Sequence, residues 1–278
     1  MSKVAGRPGL FAGRLRACYN QVMIRPSTTS PDARSGLLGV YPAKWEKNPA
    51  GVWVRQPFPG VHHTVIDPFV LLDEFVLTQA GFAWHPHLGF EKVTYLLEGA
   101  LVQRDSLGRE VQLTAGGAHH LLAGCGVEHA EERVPGRIAH GVQVWVNLPR
   151  DDKEAPAASR AVAAVPSRTV AGACVRSLVG PGGAFRFHAR VAVYDVCCPG
   201  AGVFRWPNEV SPDGVVVLYP LFGRGCTPAG AALASGAAYV LSPGILPIGI
   251  THPGSWRFLL LVGCPLGQPV SLWGGYVD

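Results

Sequence analysis

The sequence lacks any apolar run that approaches about 18 residues, the length that a membrane-spanning helix needs. Charged residues are also scarce, at 15% of the 278 residues, whereas Gly and Pro are frequent, with 35 and 24 copies. This composition argues against a helical bundle and favours many short strands joined by turns. The sequence therefore predicts an all-β protein without a membrane span.

Cysteine spacing offers neither a C-x-x-C zinc pattern nor a secreted disulfide framework. The seven cysteines are irregularly placed, and Cys197 and Cys198 are adjacent. This pattern favours reduced, buried thiols in an intracellular protein.

The formal charge of +5 is concentrated at the start of the chain, where residues 1–31 contain five basic residues and no acidic one. Of the 24 basic residues, 19 remain beyond this arm, against 19 acidic residues. A neutral body argues against direct nucleic-acid binding. Residues 1–35 have the composition of an organellar transit peptide, and a disordered basic tail explains them equally well.

Strand-like runs and turn signals recur from about Gly36 onward and predict a duplicated β-domain. We expect a first barrel over residues 36–150, a second over 170–278, and a polar, alanine-rich linker over 151–169 with room for a short helix.

Two pairs of metal-ligand residues stand out, His85 with His87 and His129 with Glu131, each spaced i, i+2. Successive side chains of a strand point to opposite faces, so both members of each pair can project from the same face. Two such strands side by side would bring three imidazoles and a carboxylate together. The sequence therefore predicts a metal site.

The other histidines fit this pattern less well. The adjacent pairs His62-His63 and His119-His120 would point to opposite faces of a strand, and His140 is interpreted as a hydrogen-bonded structural residue. The second half contains only His188 and His252, so its barrel is expected to lack a metal site. Cys125 is expected to be a small buried residue with a packing role. Metal binding by its thiol and oxidation of the thiol are the alternatives.

Four segments strongly resemble the pirin family of the cupin superfamily. They are Asp67–Phe75 (DPFVLLDEF), His85–Gly99 (HPHLGFEKVTYLLEG), Ala139–Pro149 (AHGVQVWVNLP) and Gly263–Val270 (GCPLGQPV). The resemblance implies a bicupin, in which two antiparallel double-stranded β-helix (jelly-roll) barrels face each other. It also implies one iron ion, Fe(II) or Fe(III), in the first barrel, bound by His85, His87, His129 and Glu131, with other divalent metals as alternatives.

The resemblance implies two functions. The first is quercetin 2,3-dioxygenase activity on a flavonol or other small phenol with O2, in which Glu131 or Glu91 accepts the substrate proton. Glu91 could instead orient a ligand from outside the metal shell. The second is a non-catalytic role as an iron-dependent transcriptional cofactor that binds a transcription factor. The resemblance favours a monomer in the cytoplasm and nucleus, with organellar targeting by the arm as the alternative.

Two features depart from the family pattern. Gly124-Cys125-Gly126 stands where pirins carry Gly-Arg-Gly, so a charge near the cavity is missing. The chain also stops at Gly274-Gly275-Tyr276-Val277-Asp278, earlier than the family's helical tail. Either the tail is dispensable, or its shortening leaves an edge or an apolar patch of the second barrel exposed.

Overall fold

The computed structural model describes residues 36–48, 51–59, 66–79, 81–206, 210–211, 213–245 and 249–278. The arm at residues 1–35 and the pair His62-His63 lie outside this description. The regular secondary structure of the described chain is almost entirely antiparallel strand, as the composition predicts, with a short 3-10 helix at Arg150–Asp152. No helix in the described part is both long enough and apolar enough to cross a membrane.

Strands are numbered in chain order, and those from β2 to β11 build the first barrel around a ten-stranded sheet. They are β2 (Glu46–Lys47), β3 (Val52–Phe58), β4 (Phe69–Leu77), β5 (Phe82–His87), β6 (Phe90–Asp105), β7 (Glu110–Thr114), β8 (Ala118–Leu122), β9 (Val127–Arg133), β10 (Ala139–Asn147) and β11 (Ala158–Val162).

The second barrel combines a seven-stranded and a four-stranded sheet. Its strands are β1 (Leu37–Pro42), β12 (Ser167–Val170), β13 (Ala173–Val179), β14 (Val191–Cys198), β15 (Gly202–Phe204), β16 (Val215–Phe222), β17 (Arg224–Cys226), β18 (Ala232–Ala234), β19 (Ala237–Leu241), β20 (Ile250–His252) and β21 (Trp256–Gly263). A terminal hairpin, β22 (Leu272–Trp273) and β23 (Tyr276–Val277), follows.

The barrels face each other across one shared apolar core. Val93, Val142 and Val144 of the first barrel pack in the same cluster as Val193 and Leu259 of the second. Because side chains alternate along a strand, the residues between them point away from the interface into the first barrel. The facing bicupin predicted from the sequence is the observed fold.

Both ends of the described chain lie on a different barrel from the one that the sequence predicts. The first strand joins the second barrel, and the last residues contact the first barrel. Strand β1 pairs with β19 of the second barrel, although residues 36–42 were assigned to the first. The terminal hairpin contacts the first barrel, where the Leu88 amide donates to the Gly275 carbonyl at 3.1 Å and the Val277 amide donates to the Leu88 carbonyl at 2.9 Å. These edge hydrogen bonds link residues far apart in sequence, so local patterns could not predict them.

The segment predicted as a linker also contributes strands. β11 pairs with β8 of the first barrel, and β12 pairs with β13 of the second. Between β11 and β12 the chain therefore passes from the first barrel to the second within the residues between Val162 and Ser167. The terminal hairpin covers part of the first barrel, since Val277 is fully buried among first-barrel residues such as Phe90 and Trp145.

Candidate metal centre

Three histidines meet at one end of the first barrel. Strands β5 and β9 are antiparallel neighbours, and their register places His85 directly opposite His129. One ring nitrogen of each of His85, His87 and His129 lies within 4.8 Å of the others. The i, i+2 spacing therefore does bring these three imidazoles together. Within the described residues, this is the group of His, Cys, Asp and Glu side chains with the geometry to hold a metal ion.

The outer nitrogens of the three rings are already engaged. Nδ1 of His85 lies 2.6 Å from the Ala83 carbonyl, Nδ1 of His87 lies 3.3 Å from the Gly275 carbonyl, and Nδ1 of His129 lies 3.2 Å from Oε1 of Gln103. Oxygen acceptors favour the proton on Nδ1 and leave the lone pair on Nε2.

The inner nitrogens fit a metal ion. Nε2 of His87 is buried and has no hydrogen-bond partner in the described structure, which is costly unless something binds there. Burial, reinforced by the nearby Lys92 charge, lowers the pKa of His87 to about 2 and also lowers the pKa values of His85 and His129. The rings are therefore neutral at physiological pH, the form that binds metals.

Glu131 lies beside the histidines, but protein donors already surround its carboxylate. Oε1 accepts hydrogen bonds from Thr94 at 3.1 Å and from Gln103. Oε2 accepts one from Gln143 at 2.5 Å and contacts the Lys92 ammonium at 3.2 Å. These four donors match the roughly four lone-pair sites of a carboxylate. Direct coordination of a metal by Glu131 therefore requires at least one of these contacts to break.

Charge and hydrogen bonds keep Glu131 ionised. Burial alone would raise the pKa of this carboxyl, but the Lys92 ammonium and the Gln143 amide lower it to about 2. Lys92 is fully buried, and its Nζ also lies 3.1 Å from Nε2 of His129. The role of Lys92 was not predicted from the sequence. A lysine at an inward-facing position of β6, whose neighbouring residues are mostly apolar, is the feature that could have indicated it.

Glu91 lies outside the centre, which argues against the proton-accepting role predicted from its sequence. Its carboxylate contacts Nε2 of His120 on β8 at 3.1 Å and accepts a hydrogen bond from the His188 amide of the second barrel at 2.8 Å. Glu91 does not continue the alternation of His85 and His87, because β5 ends at His87 and β6 begins at Phe90. Gly89, with a φ of +80°, breaks the alternation between them.

Three other histidines and one cysteine discussed in the sequence analysis lie outside the centre. His140 contacts Glu74 at 2.8 Å, in keeping with a structural role. His119 and His120 bind different partners, Ser159 and Glu91, as expected for opposite faces of a strand. Cys125 is exposed, which corrects the expectation of a buried thiol, because it lies in the turn between β8 and β9.

A cavity of about 320 Å³ opens beside the histidines, large enough for a small organic ligand. Its wall is largely aromatic, with Phe82, Trp145 and Tyr276, and its polar groups include Asp73 and Gln143. Asp73 is buried, and burial followed by repulsion from Glu131 raises its pKa to about 7. Sequence reasoning did not single out Asp73, which lies 12 residues before the first histidine.

The turn of the terminal hairpin closes one side of this cavity. Gly274 and Gly275 line it, and the Gly275 carbonyl orients His87. A Cβ atom on Gly275 would lie 2.2 Å from the Pro86 carbonyl oxygen and 2.8 Å from Nδ1 of His87. Glycine is therefore required for this close approach.

Comparisons with known proteins identify similar sequences in the family that the motifs resemble. The Pirin family model matches residues 51–146. A pirin-like protein of Caulobacter vibrioides is 32% identical over 82% of this chain and 87% of its own length. A Pseudomonas aeruginosa protein that carries the provisional name quercetin 2,3-dioxygenase is 33% identical over 82% of this chain and 86% of its own length.

A solved structure gives the same result. The crystal structure of quercetin 2,3-dioxygenase from Acinetobacter baumannii superposes with a TM-score of 0.73 at 25% identity, and covers 87% of this chain and 91% of that one. Taken with the extended similarity to the Caulobacter protein, this establishes that the chain belongs to the pirin family.

Proposed function

We propose that this chain is an iron-dependent dioxygenase of the quercetin 2,3-dioxygenase type, which acts on a flavonol or a related small phenol with O2. The observation that carries the proposal is the convergence of three neutral imidazoles, two of which line a cavity with aromatic walls. A site that only stabilised the fold would have no need for three unprotonated rings, two of them buried, beside an open cavity. The names of the Pseudomonas and Acinetobacter relatives support the same reaction.

Iron is the metal we propose, with one ion held by His85, His87 and His129. Imidazole ligands suit iron as well as copper, nickel and zinc, so the donor set alone does not select among them. Three protein ligands leave positions open for substrate and O2, which a non-haem iron oxygenase needs. Glu131 becomes a fourth ligand only if it releases one of its present donors.

A bound metal supplies Lewis-acid activation of the substrate hydroxyl and the electronic coupling that lets a flavonol react with O2. The overall reaction converts a flavonol and O2 to a ring-opened ester of two aromatic acids and carbon monoxide. The residues of the chain contribute the environment. Phe82, Trp145 and Tyr276 hold a planar substrate and exclude water, and the terminal hairpin restricts access from one side.

The Lys92 and Glu131 side chains stabilise the inner wall of the centre. Lys92 opposes the negative charge of Glu131, and together they leave a net neutral pair next to His129. A neutral inner wall does not repel the anionic form of a flavonol, whereas an uncompensated carboxylate would.

Metal analysis combined with an oxygen-uptake assay tests this function. Iron-loaded wild type is expected to consume O2 when quercetin is added and to release carbon monoxide. The His85→Ala variant should lose both iron and turnover, and Glu98→Gln, which changes an exposed carboxylate outside the cavity, should keep both. Wild type that holds one iron per chain and turns over no flavonol contradicts the enzyme assignment. That result would favour the regulatory role, for which a labelled transcription factor is the next probe.

A further inference from the structure

We propose that Asp73 anchors the substrate of the metal centre by accepting a hydrogen bond from one of its hydroxyl groups. This inference rests on the proposed function, because it concerns the same cavity and the same class of phenolic ligand. It adds the residue through which the cavity recognises a hydroxyl that is not bound to the metal.

The sheet register places Asp73 on the cavity side of the first barrel. Asp73 on β4 is paired with Gln143 on β10, and Gln143 is paired with Thr94 on β6. Residues directly opposite each other in a sheet project from the same face. Thr94, Gln143 and Asp73 therefore form a row across three strands. Glu131 lies over the first two members of this row, bonded to both, and Asp73 continues the row into the cavity.

The Asp73 carboxylate is buried without the donors that its neighbours have. It is 8% exposed, and its Oδ1 atom has no hydrogen-bond partner in the described structure. A buried carboxylate oxygen without a donor costs free energy. Such groups are few in natural proteins and mark sites of strain, catalysis, or a bound water, ion or ligand.

The carboxylate of Glu131 and the amide of Gln143 in the cavity wall already have protein partners. Glu131 has four donors on its two oxygens. Gln143 donates its amide to Glu131 and accepts a 3.3 Å hydrogen bond from the Trp145 ring NH at its Oε1. Asp73 is consequently the carboxylate of the cavity wall that retains an acceptor for a ligand.

The ligand that satisfies Asp73 must donate a hydrogen bond and fit between aromatic side chains. A hydroxylated aromatic compound meets both requirements, since its hydroxyl is a donor and its ring packs against Trp145 and Phe82. A carboxylic acid or a phosphate would instead place a negative charge against Asp73. The inferred class is therefore a polyphenol with a neutral hydroxyl group toward Asp73, rather than an aromatic acid.

Binding to the zinc-loaded full chain tests this anchor without turnover, because zinc has no redox chemistry. Quercetin and catechol are titrated under nitrogen into wild type, Asp73→Ala and Asp73→Asn, and the control Glu98→Gln. We expect Asp73→Ala to raise the Kd for quercetin about tenfold to a hundredfold, the usual effect of losing a hydrogen bond to a charged group. Asp73→Asn should lose less, because its amide oxygen still accepts.

Stability separates an anchor from a structural residue. If Asp73 awaits a ligand, Asp73→Ala and Asp73→Asn should have an unchanged zinc content and a melting temperature equal to or above that of the wild type in the ligand-free state. If Asp73 stabilises the fold, both variants should melt lower, which overturns the proposal.

Two further outcomes also count against the anchor. A Kd for quercetin that Asp73→Ala leaves within twofold of wild type overturns it, and so does zinc-loaded wild type that binds neither quercetin nor catechol. Failure of the dioxygenase function is a separate result. Iron-loaded wild type would then bind quercetin without consuming O2, while Asp73→Ala would still weaken binding.

Discussion

The Nζ atom of Lys92 lies 3.1 Å from Nε2 of His129, the nitrogen with which that histidine would bind a metal. The same ammonium contacts Glu131 at 3.2 Å, and both side chains are buried. A buried cation thus stands next to the proposed position of another cation. Burial lowers the pKa of Lys92, and the charge of Glu131 partly offsets that effect.

Replacement of Lys92 by methionine should strengthen metal binding. Methionine keeps much of the side-chain volume, removes the repulsion between two cations and leaves the Glu131 carboxylate free to attract or coordinate the metal. We expect Lys92→Met to lower the Kd for Zn²⁺ at least about tenfold, measured by competition with a chromophoric chelator, since one charge interaction of this kind exceeds about 1.4 kcal/mol. The metal-free variant should be less stable, because Glu131 loses its counter-ion.

The double variant Lys92→Met with Glu131→Gln separates the two contributions. If the three histidines suffice for binding, the double variant still binds one zinc per chain and loses the gain of Lys92→Met. If Glu131 is an essential ligand, the double variant binds no zinc. Lys44→Met, which changes an exposed lysine, is the control for charge alone. Weaker binding by Lys92→Met than by wild type would contradict the repulsion argument.

The terminal hairpin should control the orientation of His87. In Gly275→Ala, the new Cβ atom would clash with the Pro86 carbonyl and with the His87 ring, so the hairpin must move and the hydrogen bond to Nδ1 of His87 must weaken. Loss of such outer partners typically reduces metal affinity about tenfold to a hundredfold. Zinc titration measures this loss.

Gly200→Ala is a suitable comparison, because a Cβ atom at Gly200 would have nothing within 4 Å. It should bind zinc like the wild type. Equal affinity of Gly275→Ala and wild type would show that the hairpin does not orient the ligand.

Strand alternation predicted the best-defined part of the centre and failed where the alternation is interrupted. His85, His87 and His129 meet because β5 and β9 are regular at these positions. Glu91 faces the other barrel because Gly89 ends the alternation, and a sequence pattern does not show that a strand breaks there. The donors around Glu131 come from two strands, β6 and β10, and the Gly275 contact to His87 joins residues 188 positions apart. Such contacts depend on the sheet order, which short-range patterns do not specify.

Asp195 should be a main determinant of the interface between the barrels. Its carboxylate is fully buried and binds Arg257 at 2.8 Å and Arg176 at 3.2 Å, and it accepts a hydrogen bond from Tyr95 of the first barrel at 3.0 Å. Asp195→Ala leaves the partly exposed guanidinium groups of Arg176 and Arg257 without their partner, so we expect the free energy of unfolding to fall by about 2–3 kcal/mol, the range for hydrogen bonds to charged groups. Tyr95→Phe removes one neutral donor and should cost about 1 kcal/mol. Urea unfolding curves distinguish these effects, and similar losses for the two variants would argue against the ion pairs.

The metal-free protein should become less stable as the pH falls below about 6.5. The pKa of His87 is about 2 in the folded state, against 6.5 for a free histidine, so between these values the unfolded chain binds a proton that the folded chain does not. The free energy of unfolding therefore decreases as the pH falls through 6.5. His87→Asn removes this group and should make the decrease shallower in urea unfolding between pH 5 and pH 7. An identical slope in the two proteins would mean that the folded state accommodates the His87 proton.

Asp73 should show the opposite pH dependence. Its pKa is raised from 3.8 to about 7, so between these values the folded chain binds a proton that the unfolded chain has lost. The contribution of Asp73 to the free energy of unfolding therefore falls as the pH rises from about 4 to 7. Asp73→Asn removes the cost of ionising this buried carboxyl group.

In metal-free protein, the melting temperature of Asp73→Asn should be close to that of the wild type at pH 4. The difference in favour of the variant should then grow up to about pH 7. Glu98→Gln should show no such trend. A constant difference between Asp73→Asn and wild type across this range would indicate that the folded protein stabilises the Asp73 charge, which is incompatible with a carboxylate that awaits a donor from the substrate.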